Sequence, residues 1–270
     1  MTHDALACET LHDMMDPARA RAALAALSLP GEVEIGTPLP PFFHQFHFWS
    51  AVPPDGLGRD GHPARGSGLV PDLGLPRRMW AGGRLEFLAP LRAGHPAQKT
   101  STLVDVARKS GRSGPLAFVT LCHEIRQGDT LCLREYQDLV YRDDPDATVP
   151  QPAAAPPRAP GDADVTRAFA PDSTLLFRYS ALTFNGHRIH YDATYAREVE
   201  GYGGLVVHGP LLAQMLVLLA AEQLGRLRAF SFRATSALTL PEHASLCWRA
   251  DGTLWVAGPD GRQCMQARAE

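Results

Sequence analysis

The sequence predicts an α+β fold in which one strand-and-turn pattern occurs twice and the second copy surrounds a long apolar helix. Three observations carry this expectation. Strand-sized alternating runs come in two series, a Pro-rich segment separates the series, and residues 210–224 are apolar on nearly every face. A helix apolar all round must be buried on more than one side, so a sheet has to wrap it.

The elements follow in chain order. Asp16 and Pro17 open a helix running to about Leu29, with Asp as the cap and Pro in the first helical position. Residues 53–76 are rich in Pro and Gly, hold few apolar side chains, and read as a long irregular loop or lid. Past the loop, residues 84–89, 101–106, 116–125 and 131–141 read as strands. They are broken by turn-rich stretches at 92–96, 109–114 and 127–129. Residues 151–161 carry prolines that favour extended polyproline II, and read as a linker with no hydrogen-bonded element of its own.

The second series repeats the first. Residues 228–235, 244–249, 252–257 and 262–267 read as strands, and 240–243 takes the place of the turn at 92–95. Ahead of them, Pro210 starts the apolar helix and Gly225 stands just past its end. The first half has no comparable helix after Pro53, so its central helix is shortened or replaced by loop. A long buried helix wrapped by an antiparallel sheet is the hot-dog architecture. The expected fold is therefore a double hot-dog with a degenerate first repeat: an N-terminal half over 1–150, a linker over 151–162 and a C-terminal half over 163–270.

Composition narrows the function classes. The 26 Lys and Arg against 29 Asp and Glu give a formal net charge of −3, which offers no basic field for a nucleic-acid partner. The longest apolar run, 211–221, contains Gln214 and is too short to span a bilayer, so no membrane partner is expected. His3, Asp4 and Glu9 precede any apolar run, unlike a secretion signal, and a cytoplasmic location is expected. The five cysteines form no CxxC pair. Cys8 aside, Cys122, Cys132, Cys247 and Cys264 lie in strand-like contexts and read as small core residues.

The densest polar constellation runs from 178 to 210. His190, five residues after Asn185, is a candidate general acid or base, because imidazole titrates near neutral pH. Asn185 either orients a water through its amide oxygen or bonds a turn backbone. Asp192 reads as the N-cap of a short helix ending before Gly201. Gly209 and Pro210 mark a helix start, whose unpaired N–H groups and dipole suit an oxygen that gains negative charge. His187, Arg188, Tyr191, Tyr202 and His208 are candidate substrate-binding residues. No carboxylate or Cys completes a ligand set with the histidines in sequence, so no metal is expected.

The run Asn185-Gly186-His187-Arg188-Ile189-His190-Tyr191-Asp192, followed by Val207-His208-Gly209, resembles the motif of MaoC-like (R)-specific enoyl-thioester hydratases. It is most similar to the branch holding mesaconyl-C4-CoA and itaconyl-CoA hydratases and type 2 3-hydroxyacyl-thioester dehydratases. Asn185 stands where the wider family has a catalytic Asp. The resemblance implies reversible hydration of a 2-enoyl-CoA by His190, Asn185 and the Gly209 amide, without metal or redox cofactor; exposed sheet edges lead to the expectation of a homodimer. It points to a short C5 dicarboxylic acyl group, with straight-chain 3-hydroxyacyl thioesters as the alternative and a non-catalytic acyl-CoA binder as a rival. A hot-dog thioesterase would want a carboxylate near the helix start, and between Tyr202 and Leu224 there is only Glu222. A second substrate carboxylate would need a cation, for which Arg188, Arg178 and Arg233 are the candidates.

Overall fold

In the computed structural model, residues 7–111, 114–144 and 155–270 are described. Among these residues, ten antiparallel strands form one continuous sheet. The first half supplies β1 (Cys8–Asp13), β2 (Arg77–Phe87), β3 (Ala97–Gly111), β4 (Gly114–Gln127) and β5 (Thr130–Arg142). The second supplies β6 (Val165–Phe169), β7 (Ala229–Ala234), β8 (Ala244–Trp248), β9 (Thr253–Ala257) and β10 (Gln263–Ala269). The order across the sheet is β1-β3-β4-β5-β2-β7-β10-β9-β8-β6. The halves therefore join through β2 and β7, paired from Gly82↔Arg233 to Glu86↔Ala229.

β2 begins at Arg77, well before the alternation at residue 84 that announces it. Gly82 and Gly83 look like a break in sequence but are strand residues. A Cβ at Gly82 would sit 2.6 Å from the Phe232 carbonyl oxygen, so the two halves can approach closely only without a side chain there. A bulge between Trp80 and Gly82 adjusts the pairing with β5.

The helix α1 (Pro17–Ala26) has Asp16 as its cap, the carboxylate accepting from the Ala18 N–H at 2.8 Å. A second helix, α2 (Ser173–Thr183), is capped by Asp172 and was not expected; its apolar side is short, and Leu176, Tyr179 and Ser180 are its buried members. The short α3 (Ala193–Glu198) starts at Asp192, whose carboxylate accepts from the Tyr195 N–H as anticipated. The long helix α4 (Gly209–Leu224) packs on β2, β7, β8, β9 and β10, with Leu211, Ala213, Leu216 and Val217 shielded completely from solvent. In the first half, an aromatic plug takes the place of such a helix. Phe42, Phe43, Phe46 and Phe48 around a 3-10 turn (Phe43–Phe46) are buried, and Phe42 reaches Phe232 at a ring separation of 5.9 Å.

Two expectations need correction. The 151–161 segment is not without hydrogen-bonded structure: residues 151–154 lie outside the described residues, but Arg158 bridges to Arg262. There the Ala159 N–H donates to the Gly261 carbonyl, and the Pro157 carbonyl accepts from the Gln263 N–H. Proline removes only its own donor, and the intervening residues keep theirs. Cys122 is half-buried rather than a core residue, while Cys132, Cys247 and Cys264 are buried. No helix among the described residues is long and apolar enough to cross a membrane.

Candidate active site

Three short segments bring the polar constellation together. α2 ends at Phe184 in the left-handed conformation, and the Asn185 N–H donates back to the Ser180 carbonyl. Asn185 Oδ1 then accepts from the His187 N–H at 3.0 Å, closing a turn that aims His187 and starts the 3-10 turn Arg188–His190. Of the two readings left open for Asn185, the backbone-binding one is the geometry observed, though the side chain also lines the cavity described below.

His190 is buried, and its Nδ1 donates to the Val206 carbonyl at 2.8 Å. That bond fixes the tautomer: Nε2 keeps its lone pair. Burial first, and then the neighbouring His187, push the His190 pKa down to about 3, so the ring is neutral near neutral pH. His208 stacks on it, ring centroids 3.6 Å apart, and binds the Ser180 hydroxyl at 2.8 Å. His187 meets the His190 ring edge-on at 5.5 Å and lies 3.8 Å from the Glu200 carboxylate. Glu200 is in turn held by Arg77, Nε to Oε2 at 2.7 Å, and both are nearly sealed from solvent. Burial alone would raise Glu200. The nearby His187 imidazole and the charge of Arg77 override that and hold its pKa below the ordinary value.

His187 and His190 face a cavity of about 850 Å³. Asn185, His187, His190, Tyr202 and Gly209 line it, so most of the expected constellation converges. Gly209 is the first residue of α4, beneath the Trp80 carbonyl of β2, and no side chain caps that helix end. Three expected residues are elsewhere. His208 lies behind His190 and is completely shielded from solvent. Arg188 pairs with Asp192 at 2.7 Å outside the wall, and Tyr191 is exposed with its hydroxyl on the Gly186 carbonyl. On a 3-10 turn, neighbouring side chains diverge by a third of a circle, so 188 and 191 point away from the face that carries 190. Of the arginines proposed for a second carboxylate, neither Arg188, Arg178 nor Arg233 lines the cavity; Arg65, Arg78 and Arg142 do.

The remaining wall comes from the Pro/Gly-rich stretch, which behaves as the expected irregular loop. It is clamped to the histidine turn where Gly61 and Gly186 pass each other, and a Cβ on Gly186 would sit 2.5 Å from the Gly61 carbonyl oxygen. The Arg188 N–H donates to the Asp60 carbonyl at 2.9 Å across the same contact. This brings His62 to within 4.7 Å of the His187 ring. It also supplies what the metal argument lacked: Asp60, His62 and His187 place ligand-type atoms within 4.8 Å of one another. Asp60 Oδ1 already accepts from the His62 N–H. His62, Arg77, Arg78 and Arg142 are far in sequence from the motif, and only the loop reading of 53–76 pointed toward His62; Glu200 lies inside the 178–210 stretch but is not singled out there, because its role depends on Arg77 from β2.

The comparisons fit this arrangement. The model of the hydroxyacyl-thioester dehydratase type 2 family matches residues 42–240. The chain belongs to that family. It is 46% identical over 267 residues to the mesaconyl-C4-CoA hydratase of Chloroflexus aurantiacus, covering 97% of this chain and 94% of that protein. It is 26% identical to the mitochondrial hydroxyacyl-thioester dehydratase type 2 of Schizosaccharomyces pombe, over 82% of this chain and 81% of that one. Among solved structures, a MaoC-like dehydratase from Phytophthora capsici superposes with a TM-score of 0.69 at 12% identity, over 98% of this chain and 96% of that chain. A Mycobacterium tuberculosis protein described as having a double hotdog fold gives 0.55 at 15% identity, over 98% and 96%. The fold of this family member is the double hot-dog.

Proposed function

We propose that the protein catalyses reversible addition of water to a 2-enoyl-CoA carrying a second carboxylate, of the mesaconyl-C4-CoA type. The observation that carries the chemistry is His190. Its Nδ1–H is committed to the Val206 carbonyl, so a neutral Nε2 is left to take a proton from water in a cavity shared with a helix start. The Gly209 end of α4 polarises the thioester carbonyl, where enolate charge develops as water adds to the β-carbon. His187, held against the buried Glu200–Arg77 pair, is the second group able to carry a proton, which answers the absence of an Asp at position 185. Asn185 orients that histidine through its backbone. The reaction in this reading needs no metal or redox cofactor.

The substrate class rests on the full-length similarity to a mesaconyl-C4-CoA hydratase, whose name states what that protein acts on. The test is incubation with mesaconyl-C4-CoA and with crotonyl-CoA in oxygen-18 water, followed by mass spectrometry. Label in the new hydroxyl of an intact acyl-CoA is the expected result, favouring the dicarboxylic substrate. Free CoA with the label only in the carboxylate of the released acid would mean hydrolysis and overturn the reading.

A further inference from the structure

The charges around the cavity do not balance. Arg77 and Arg142 face each other across β2 and β5, with Arg78 next in the strand. One carboxylate, Glu200, stands among them, and Arg77 takes it twice, through Nε to the side chain and through its terminal nitrogen to the Glu200 carbonyl at 3.0 Å. Arg142 lines the cavity, and its side chain has no ion pair or hydrogen bond among the described residues. Its Nε is cut off from solvent without a partner. Burial, and then the like charge of Arg77, push its pKa down, so a negative charge beside the guanidinium would be favoured. An unpaired, partly desolvated guanidinium is costly to keep unless a ligand completes it.

Position selects the ligand. Tyr202 neighbours the same cluster, with its ring under the Arg77 guanidinium at 5.7 Å. Glu200 ties the cluster to His187, and His187 meets His190. In a 2-enoyl thioester of a C4-chain dicarboxylic acid, only the two alkene carbons separate the thioester carbonyl from the free carboxylate. That carboxylate must therefore find its cation in the same chamber as the proton-transferring histidines. We infer that Arg142 is the subsite for the free carboxylate of the acyl group, binding it through the planar fork of its guanidinium. Arg142, and none of Arg188, Arg178 and Arg233, is then the residue that separates dicarboxylic from straight-chain substrates. This assignment rests on the reading above that the cavity takes acyl-CoA.

Two saturated thioesters, which offer no double bond to hydrate, test it without turnover. Succinyl-CoA and butyryl-CoA share the CoA portion and differ in a terminal carboxylate at the spacing described. Calorimetric titration of the wild type is expected to show succinyl-CoA binding at least about tenfold more tightly, the size of a charge-assisted bidentate contact. Arg142→Gln should erase that preference and leave butyryl-CoA affinity within about threefold, and Arg142→Lys should retain part of it. Equal loss of both ligands in Arg142→Gln would assign the guanidinium to a CoA phosphate and overturn the proposal, as would a wild type without preference. Should Arg142→Gln fail to fold, the same comparison in Arg142→Lys decides, since an unchanged preference there overturns the bidentate role. Failure of the oxygen-18 hydration assay would overturn the catalytic reading alone, because the binding preference is measured without chemistry.

Discussion

The imidazoles of His190 and His208 stack face to face, centroids 3.6 Å apart and planes 18° from parallel. Two cations could not share that geometry, and burial holds both rings neutral, His208 well below its ordinary range and His190 down to about 3. In the unfolded chain both titrate near 6.5. Between the two values the unfolded state binds more protons, so stability is fully present above about pH 6.5 and is lost as pH falls toward 3. Thermal melts from pH 7.5 to 4 should show a falling midpoint, and His208→Gln should flatten that fall. An equal slope in the variant would mean that His208 is protonated in the folded protein.

The Glu200–Arg77 pair is a buried ion pair that also faces His187. Glu200→Gln leaves Arg77 charged and nearly sealed from water without its counter-ion, which should cost about 3–5 kcal/mol of stability. Glu200→Leu with Arg77→Met removes both charges and should recover most of the loss. Urea unfolding at pH 7 measures both, and a double variant no better than the single one would place the cost in packing rather than charge.

What the sequence made legible follows physical range. The capped helices starting at Asp16 and Asp192, the apolar α4 and the alternation of β4 and β5 are local patterns, and each is found where the pattern lies. β2 was half legible, because Gly82 and Gly83 signal a turn locally but serve a strand-to-strand contact with Phe232 that only the assembled sheet creates. The site divides the same way. Asn185, His187, His190 and Gly209 fall within one local motif, whereas Arg77, Arg142 and His62 reach it from distant strands and a loop. Arg188 stood inside the motif and still points away, since a 3-10 turn decides its direction.

Two adjacent positions of α4 separate its faces. Leu216 is completely shielded, while Met215 is only partly buried. Leu216→Ala should cost about 2–5 kcal/mol, and Leu216→Asp should prevent cooperative folding, because a buried unpaired charge outweighs the stability of a domain. Met215→Ala should cost clearly less. Chemical denaturation ranks the variants, and a reversed order would mean that the helix is rotated about its axis relative to this packing.

The pair Asn185 and His190 carries the sharpest kinetic test. If Nε2 of His190 takes the proton from water, His190→Ala should lower kcat about a hundredfold or more with the melting profile preserved. Asn185→Ala removes the acceptor of the His187 N–H and should lower kcat as well, by loosening the turn that aims His187. Asn185→Asp behaves differently, because a carboxylate accepts the same N–H and keeps the turn. It also adds a negative charge to the cavity wall beside a neutral imidazole, which favours the imidazolium and raises its pKa. The limb of the pH–rate profile governed by His190 should therefore move upward in Asn185→Asp while kcat at its optimum stays within about tenfold of the wild type. A limb that does not move would show that the charge at 185 is screened from His190. Wild-type activity in His190→Ala would instead remove His190 from the chemistry and leave His187, braced by Glu200, as the group to substitute next.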